Sequence, residues 1–378
     1  MERLRRVFRH FYSVLRPFPT AGQSPLGARR DPLALVVVLD GTMSTLEPGE
    51  ETNAGLAYRL LREVPGVAVY YEAGLQWQDW RATADVMLGR GINRQIRHAY
   101  GWLASRYHPG DQIFLMGYSR GAYAVRSLAG VIDRVGLLRA GDATERNIRT
   151  AYRHYQAGDE GDVSEQFAAI TCHEKVVIEG IFVWDTVKAL GLRLPLLWRW
   201  SAASHEFHDH QLGPSVRAGF QALAIDETRS VFEPVLWESR AGDDRLVQQL
   251  WFPGTHGDVG GQLGGERAAR GLSNLALVWM LEKMEGCGLI LPKGWAERFP
   301  VNEMAPSVGT WGGTGKLFWV RSRRVFGRDP SESLHPSVEA RRAKQQARVW
   351  SWRRRACCEG GYPLGVIAMM MQVVDPVA

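Results

Sequence analysis

The sequence predicts an α/β protein built on a mostly parallel sheet with helices on both faces. Three observations carry that prediction. Short apolar runs such as "LALVVVL" from residue 33 and "QIFLM" at 112–116 show no alternation, which suits strands buried on both faces. These runs alternate along the chain with segments of helical character, the order that parallel sheets require. Several of the runs stop at an acid or a glycine: Asp40 in "DGT", Gly117, and Asp185 in "VWD".

Taken in order, "LALVVVL" is a β-branched run and a first strand, and "GVAVYYEAG" (66–74) is a second. "INRQIRHAYGWLASRY" (92–107) reads as a helix. "QIFLM" is a third strand, and a helix follows from Ala122. "KVVIEGIFVWDTV" (175–187) is strand-like and ends in an acid. The alanine-rich "VRAGFQALAID" (216–226) reads as a helix, "RLVQQLWFPG" (245–254) as a strand, and "GLSNLALVWMLEKM" (271–284) as a helix. No internal repeat is evident. Beyond about residue 290 the alternation weakens into a Gly-, Trp- and Arg-rich stretch, a basic helical candidate "VEARRAKQQARVWSWRRRA", and an apolar tail.

At the other end, residues 1–30 stand apart. Up to Pro17 they carry Arg3, Arg5, Arg6, Arg9 and Arg16 against Glu2, with Leu4, Val7, Phe8, Phe11, Tyr12 and Leu15 at helical spacing. A basic amphipathic helix of this kind lies on a membrane surface, docks on a partner, or packs on its own protein. The expected organisation is therefore a basic N-terminal arm and linker (1–30), a catalytic domain (31–290), and a C-terminal extension packed on it (291–378).

Composition narrows the function classes. The chain has 378 residues, is 45% hydrophobic and 23% charged, and carries a net charge of +6. That is globular and mildly cationic, compatible with an anionic surface but well short of a histone-like charge, and no nucleic-acid partner is expected. Fourteen tryptophans suit a wet cleft or an interface as well as a core. The cysteines at 172, 287, 357 and 358 have neither metal-type spacing nor a disulfide pattern, so no zinc site and no disulfide framework is expected. No apolar run approaches the ~20 residues needed to cross a bilayer. The N-terminus lacks the apolar centre and cleavage site of a signal peptide.

The chemistry concentrates at "DQIFLMGYSRGAYAVRSLAG" (111–130). Gly117-Tyr118-Ser119-Arg120-Gly121 is G-x-S-x-G, following a buried strand and opening a helix, the context of a nucleophile elbow. The glycines sit where the chain passes too close to tolerate side chains. The turn lifts the serine above the sheet and points free N–H groups of the helix start at whatever it attacks. The alternative is a serine that only caps the helix. A serine nucleophile needs a base and an orienting acid, in the chain order Ser, Asp or Glu, His. Asp185 and His256, the latter in "WFPGTHGDVGG", fit that order. Asp226, Asp258 and Asp40 are rival acids, and "HEFHDH" with His205, His208 and His210 offers no common face for a metal. The oxyanion expected in acyl transfer wants two backbone N–H donors. Arg120, just after the serine, supplies one; Gly41 or Thr42 in "DGT" supplies the other.

These blocks, together with "TNAGLAYRLL", "VWDTVKALG", "GLSNLALVWML" and "LHPSV" (334–338), resemble the alpha/beta-hydrolase domain of class-1 type VI secretion lipase effectors and their uncharacterised relatives. The resemblance spans roughly 33–285, and departs from the family in "YYEAGLQWQDW" after the second strand. It implies an alpha/beta-hydrolase fold and a serine hydrolase with Ser119 as nucleophile, Asp185 as acid and His256 as base. It also implies a phospholipase of the antibacterial-effector type, acting without a cofactor or metal. The expected partners are phospholipid, an anionic membrane met through residues 1–30, and a secretion apparatus or immunity protein. The expected route is from the bacterial cytoplasm to a target-cell membrane or periplasm, as a peripheral protein. Two other functions remain open on the residues alone: an esterase or thioesterase for a soluble acyl compound, and a non-catalytic module holding an anionic membrane or nucleic acid.

Overall fold

In the computed structural model, residues 33–74, 90–158, 161–187, 211–239, 242, 245–311 and 320–344 are described. Seven strands form one sheet: β1 (Ala34–Leu39), β2 (Val67–Glu72), β3 (Gln112–Tyr118), β4 (Ile178–Trp184), β5 (Ala218–Ala224), β6 (Leu246–Phe252) and β7 (Glu332–Leu334). Their order across the sheet is β2-β1-β3-β4-β5-β6-β7, and every neighbouring pair is parallel. Parallel strands need crossovers that cover the faces. The helices around the sheet include α1 (Asn53–Leu61), α2 (Arg90–Ala104), α3 (Arg120–Val135), α4 (Glu145–Ala157), α5 (Asp162–Thr171), α6 (His256–Gly260) and α7 (Arg270–Gly286). This is the mostly parallel α/β-hydrolase-like architecture that the sequence predicts.

β1 explains why its run is continuous rather than alternating. Leu35, Val37 and Leu39 point into one apolar cluster with Ile96 and Leu103 of α2 and Val125 and Leu128 of α3. Val36 and Val38 point into a second cluster with Ala57 and Leu61 of α1 and Met280 of α7. Two cores thus sandwich the sheet, and a strand between them tolerates apolar residues at every position.

One predicted element is wrong. Residues 216–226 are not helical; β5 runs through them, with all seven residues of Ala218–Ala224 buried. Alanine favours helices in isolation, but tertiary packing overrides that preference. Phe220 stacks on Phe182 of β4 at 5.4 Å between ring centroids, and the small neighbours let β4 and β6 pair on either side. Asp226 accordingly follows a strand rather than a helix, at the same sheet edge as Ser119.

The segment beyond residue 290 contributes to this body. β7 pairs with β6 through Gln249, Leu250 and Trp251. Residues 320–322 lie antiparallel to 228–230: Ser230 N–H donates to the Val320 carbonyl at 3.1 Å and Ser322 N–H to that of Thr228 at 2.8 Å. The N-terminal arm, "HEFHDH", "QWQDW" and residues 345–378 lie outside the described residues.

Candidate active site

The elbow sits between β3 and α3. Ser119 has φ 58° and ψ −120°, a conformation that a non-glycine residue adopts only under constraint. The constraint is close packing on both sides. A Cβ on Gly117 would lie 2.6 Å from the Gly121 carbonyl oxygen, and one on Gly121 would lie 2.0 Å from that of Leu39. A larger residue at 117 would collide with the start of α3, and one at 121 with the end of β1. The Ser119 hydroxyl makes no capping bond to α3. It meets His256 Nε2 at 2.9 Å instead.

His256 opens α6, directly after β6. Its Nδ1 meets Asp185 Oδ2 at 2.5 Å. Asp185 follows β4, also in a left-handed backbone conformation (φ 46°). Ser119, His256 and Asp185 are 6%, 5% and 0% exposed, so the chain of contacts runs through a largely water-free site where charges and dipoles act strongly. Two aromatic rings pack against the imidazole: Phe232 stacks on it at 4.6 Å and 12°, and Tyr118 lies tilted against it at 4.9 Å and 30°. The His256 N–H donates to Glu227 at 3.1 Å. Burial raises the Glu227 carboxyl, but hydrogen bonds and charge from Arg229 hold it below the usual carboxylate range. Arg229 in turn covers Phe232, its guanidinium carbon 4.3 Å from the ring centroid.

Asp185 has a second partner that no pattern in the sequence indicated. Arg324 Nη1 donates to Asp185 Oδ1 at 2.6 Å and Nη2 to Oδ2 at 2.8 Å. The Ala224 N–H adds a bond to Oδ1 at 3.1 Å. Burial raises the Asp185 carboxyl, and the Arg324 charge with the bonds from His256 and Arg324 more than reverses this, holding it well below the carboxylate range.

The rival acids have other work. Asp258 accepts from Thr255 N–H and hydroxyl at 2.7 and 2.9 Å, from the Ser307 hydroxyl, and from Val308 N–H. It fastens the start of α6 to residues 307–308. Asp226 accepts the Gly254 N–H at 2.7 Å. Asp40 accepts the Gly41 N–H at 2.7 Å and the hydroxyls of Thr52 and Tyr71. The bond to Asp40 occupies the Gly41 N–H. The turn brings this loop beside the elbow: a Cβ on Gly41 would lie 3.4 Å from that of Ser119. The Thr42 carbonyl is tied down by Gln262 at 2.9 Å.

The signals for Arg324, Glu227, Phe232 and Tyr118 were weak in different ways. Tyr118 lies inside the elbow motif, where only the glycines and serine have a prescribed role. Glu227 and Phe232 lie in a loop without periodicity, and Arg324 is one of three arginines in "VRSRR" with nothing to single it out.

A parallel sheet whose third strand ends in an elbow serine, with a histidine and an aspartate delivered by later strands, defines an α/β-hydrolase-like protein. The family description for the type VI secretion phospholipase effector Tle1-like catalytic domain matches residues 34–283, and the chain belongs to that family. An uncharacterized protein of Saccharomyces cerevisiae is 27% identical over 188 residues, covering 42% of this chain and 27% of the yeast protein. Among solved structures, an uncharacterized protein from Pseudomonas aeruginosa aligns over 72% of this chain and 49% of its own, with 16% identity and a TM-score of 0.40. The Tle1 effector bound to the VgrG spike of the type VI secretion system aligns over 64% of this chain and 55% of its own, with 17% identity and a TM-score of 0.30. The chain thus spans about half of each solved relative and a smaller share of the yeast one. Among the described residues no helix is long and apolar enough to cross a membrane.

Proposed function

We propose that the chain is a serine hydrolase that cleaves acyl esters of membrane phospholipids through Ser119, His256 and Asp185. The observation that carries this is the unbroken contact from Ser119 Oγ to His256 Nε2 (2.9 Å) and from Nδ1 to Asp185 Oδ2 (2.5 Å), at the C-terminal edge of a parallel sheet. Ser119 Oγ attacks the acyl carbonyl carbon as His256 Nε2 takes its proton. Asp185 holds Nδ1–H and stabilises the imidazolium. Charge developing on the carbonyl oxygen is received by the N–H groups of Arg120 and Thr42. The intermediate collapses, His256 protonates the departing lysophospholipid oxygen, and an acyl-serine remains. Water, deprotonated by His256, then attacks the acyl carbonyl carbon, and the bond to Ser119 Oγ breaks as His256 returns the proton to that oxygen, releasing the fatty acid. No step calls for a metal or organic cofactor.

Family membership supports the phospholipid substrate, and on the same ground we propose delivery by a secretion apparatus, a cognate immunity protein, and action at a target-cell membrane or periplasm. The basic arm 1–30 is the segment we assign to anionic membrane. The decisive experiment is mass spectrometry of lipids from anionic vesicles incubated with wild type and with Ser119→Ala. We expect lysophospholipid and free fatty acid from wild type only. Turnover of a short soluble ester with intact vesicles would reassign the substrate to a soluble acyl compound. Equal turnover by Ser119→Ala would remove the nucleophile.

A further inference from the structure

An aspartate that orients a catalytic histidine does so only as well as its own orientation is held by its neighbours. Here that partner comes from residues 320–328, beyond the span matched by the family. The Arg324 guanidinium reaches three structures at once. It forks both oxygens of Asp185 at 2.6 and 2.8 Å, donates to the Ala224 carbonyl at the end of β5 at 2.9 Å, and donates to the Phe232 carbonyl. The Phe232 ring lies flat on His256. One side chain therefore fixes the direction of the acid and the position of the group that backs the base.

Stability alone is a poor explanation for this arrangement. The Arg324 side chain is 5% exposed and that of Asp185 0%. A buried ion pair gains little over apolar packing of the same volume, because desolvation of both charges offsets their attraction. Arg324 Nε is also buried without a partner among the described residues, a further cost. What the pair does supply is direction. A bidentate fork leaves the carboxylate one orientation, and in it Oδ2 faces His256 Nδ1. The fork itself is positioned by neighbours. Residues 320–322 pair with 228–230, and Arg321 Nη1 donates to the Thr228 hydroxyl at 3.2 Å. Further along, Asp329 accepts from the N–H and hydroxyl of Ser239 at 2.7 and 2.6 Å.

We propose that Arg324 is a positioning residue for the triad: by forking Asp185 and anchoring Phe232 it sets the acid and base in line with Ser119, so that the working site forms only with residues 320–328 docked. The proposal rests on the triad reading above and adds to it a residue that touches neither substrate nor the reacting atoms.

The test compares wild type, Arg324→Gln, Arg324→Lys and Ser119→Ala on a soluble p-nitrophenyl ester and in labelling by a fluorophosphonate, with thermal melting to establish the folded fraction. A misaligned acid slows the chemical step without altering substrate binding. For folded Arg324→Gln we expect kcat and labelling rate to fall on the order of 10²-fold, with KM within about twofold of wild type. Lysine keeps the charge but cannot fork two oxygens, so Arg324→Lys should recover roughly tenfold of that loss and no more. A folded Arg324→Gln with wild-type kcat, while Ser119→Ala is inactive, overturns the proposal. Retained activity in Ser119→Ala instead places the failure in the triad reading. If Arg324→Gln does not fold, Arg324→Lys decides: reduced kcat at unchanged KM supports the fork, and wild-type kcat rejects it.

Discussion

Two aspartates follow the two strands that flank β3, Asp40 after β1 and Asp185 after β4, and they differ in one respect that governs both. Each is buried, at 1% and 0% exposure, and each is surrounded by donors. Asp40 receives a backbone N–H and the hydroxyls of Thr52, Tyr71 and Ser44, all neutral. Asp185 receives a backbone N–H, an imidazole and a forked guanidinium. Burial pushes Asp40 up to about 6 in spite of its hydrogen bonds. At Asp185 burial acts in the same direction and is overridden by Arg324 and His256. Neutral donors satisfy a buried carboxylate's lone pairs but leave its charge uncompensated; a cation compensates it. One strand end is thus built to hold a loop, and the other to hold a charge.

The comparison breaks first on activity. Asp185→Asn should keep the fold and lose roughly 10⁴-fold in kcat on a soluble ester, as removing an orienting acid does. Asp40→Asn should lose less than about tenfold, since an amide oxygen still accepts the Gly41 N–H. Similar losses in the two variants would mean that Asp40 carries part of the catalytic work.

Stability against pH sharpens the contrast. The folded-state value of Asp40 lies above its ordinary 3.8, so the folded protein binds an extra proton between about pH 4 and 6. Stability therefore falls as pH rises through that window, by on the order of 3 kcal/mol from this group. Asp185 has the opposite sign. Its folded-state value lies below the ordinary 3.8, so its contribution is present above that pH and lost below it. Urea unfolding from pH 4 to pH 7 should show Asp40→Asn gaining on wild type as pH rises. A constant difference between them across the window rejects this account of Asp40.

The smallest effect concerns Asp258, the nearest rival for the acid. It fastens α6 rather than the imidazole, so Asp258→Asn should lower the melting temperature and cost less than about tenfold in kcat at equal folded fraction. A loss as large as that of Asp185→Asn would move the acid to Asp258.

Much of this site was legible in the sequence because its parts are local. The G-x-S-x-G turn announces itself, since only glycine fits where the elbow passes Leu39 and Gly121. Asp185 and His256 could be picked out because each ends a strand-like run in the expected order. The nonperiodic loops were not legible. Nothing local says that Phe232 backs His256, that the Asp40 carboxylate takes the Gly41 N–H, or that Arg324 faces Asp185 across 139 positions of chain.

The alternation of apolar runs and helical segments by itself determined a parallel α/β sheet, and the elbow motif marked the candidate site, because burial on two faces and a close backbone turn both restrict composition locally. Residues 216–226 went the other way. Their alanines favour a helix in isolation, and only the gap between β4 and β6 makes them a strand. The same holds for Arg324. Whether an arginine is a solvated surface charge or the fixed partner of a buried acid depends on what surrounds it, and that is decided when the chain folds.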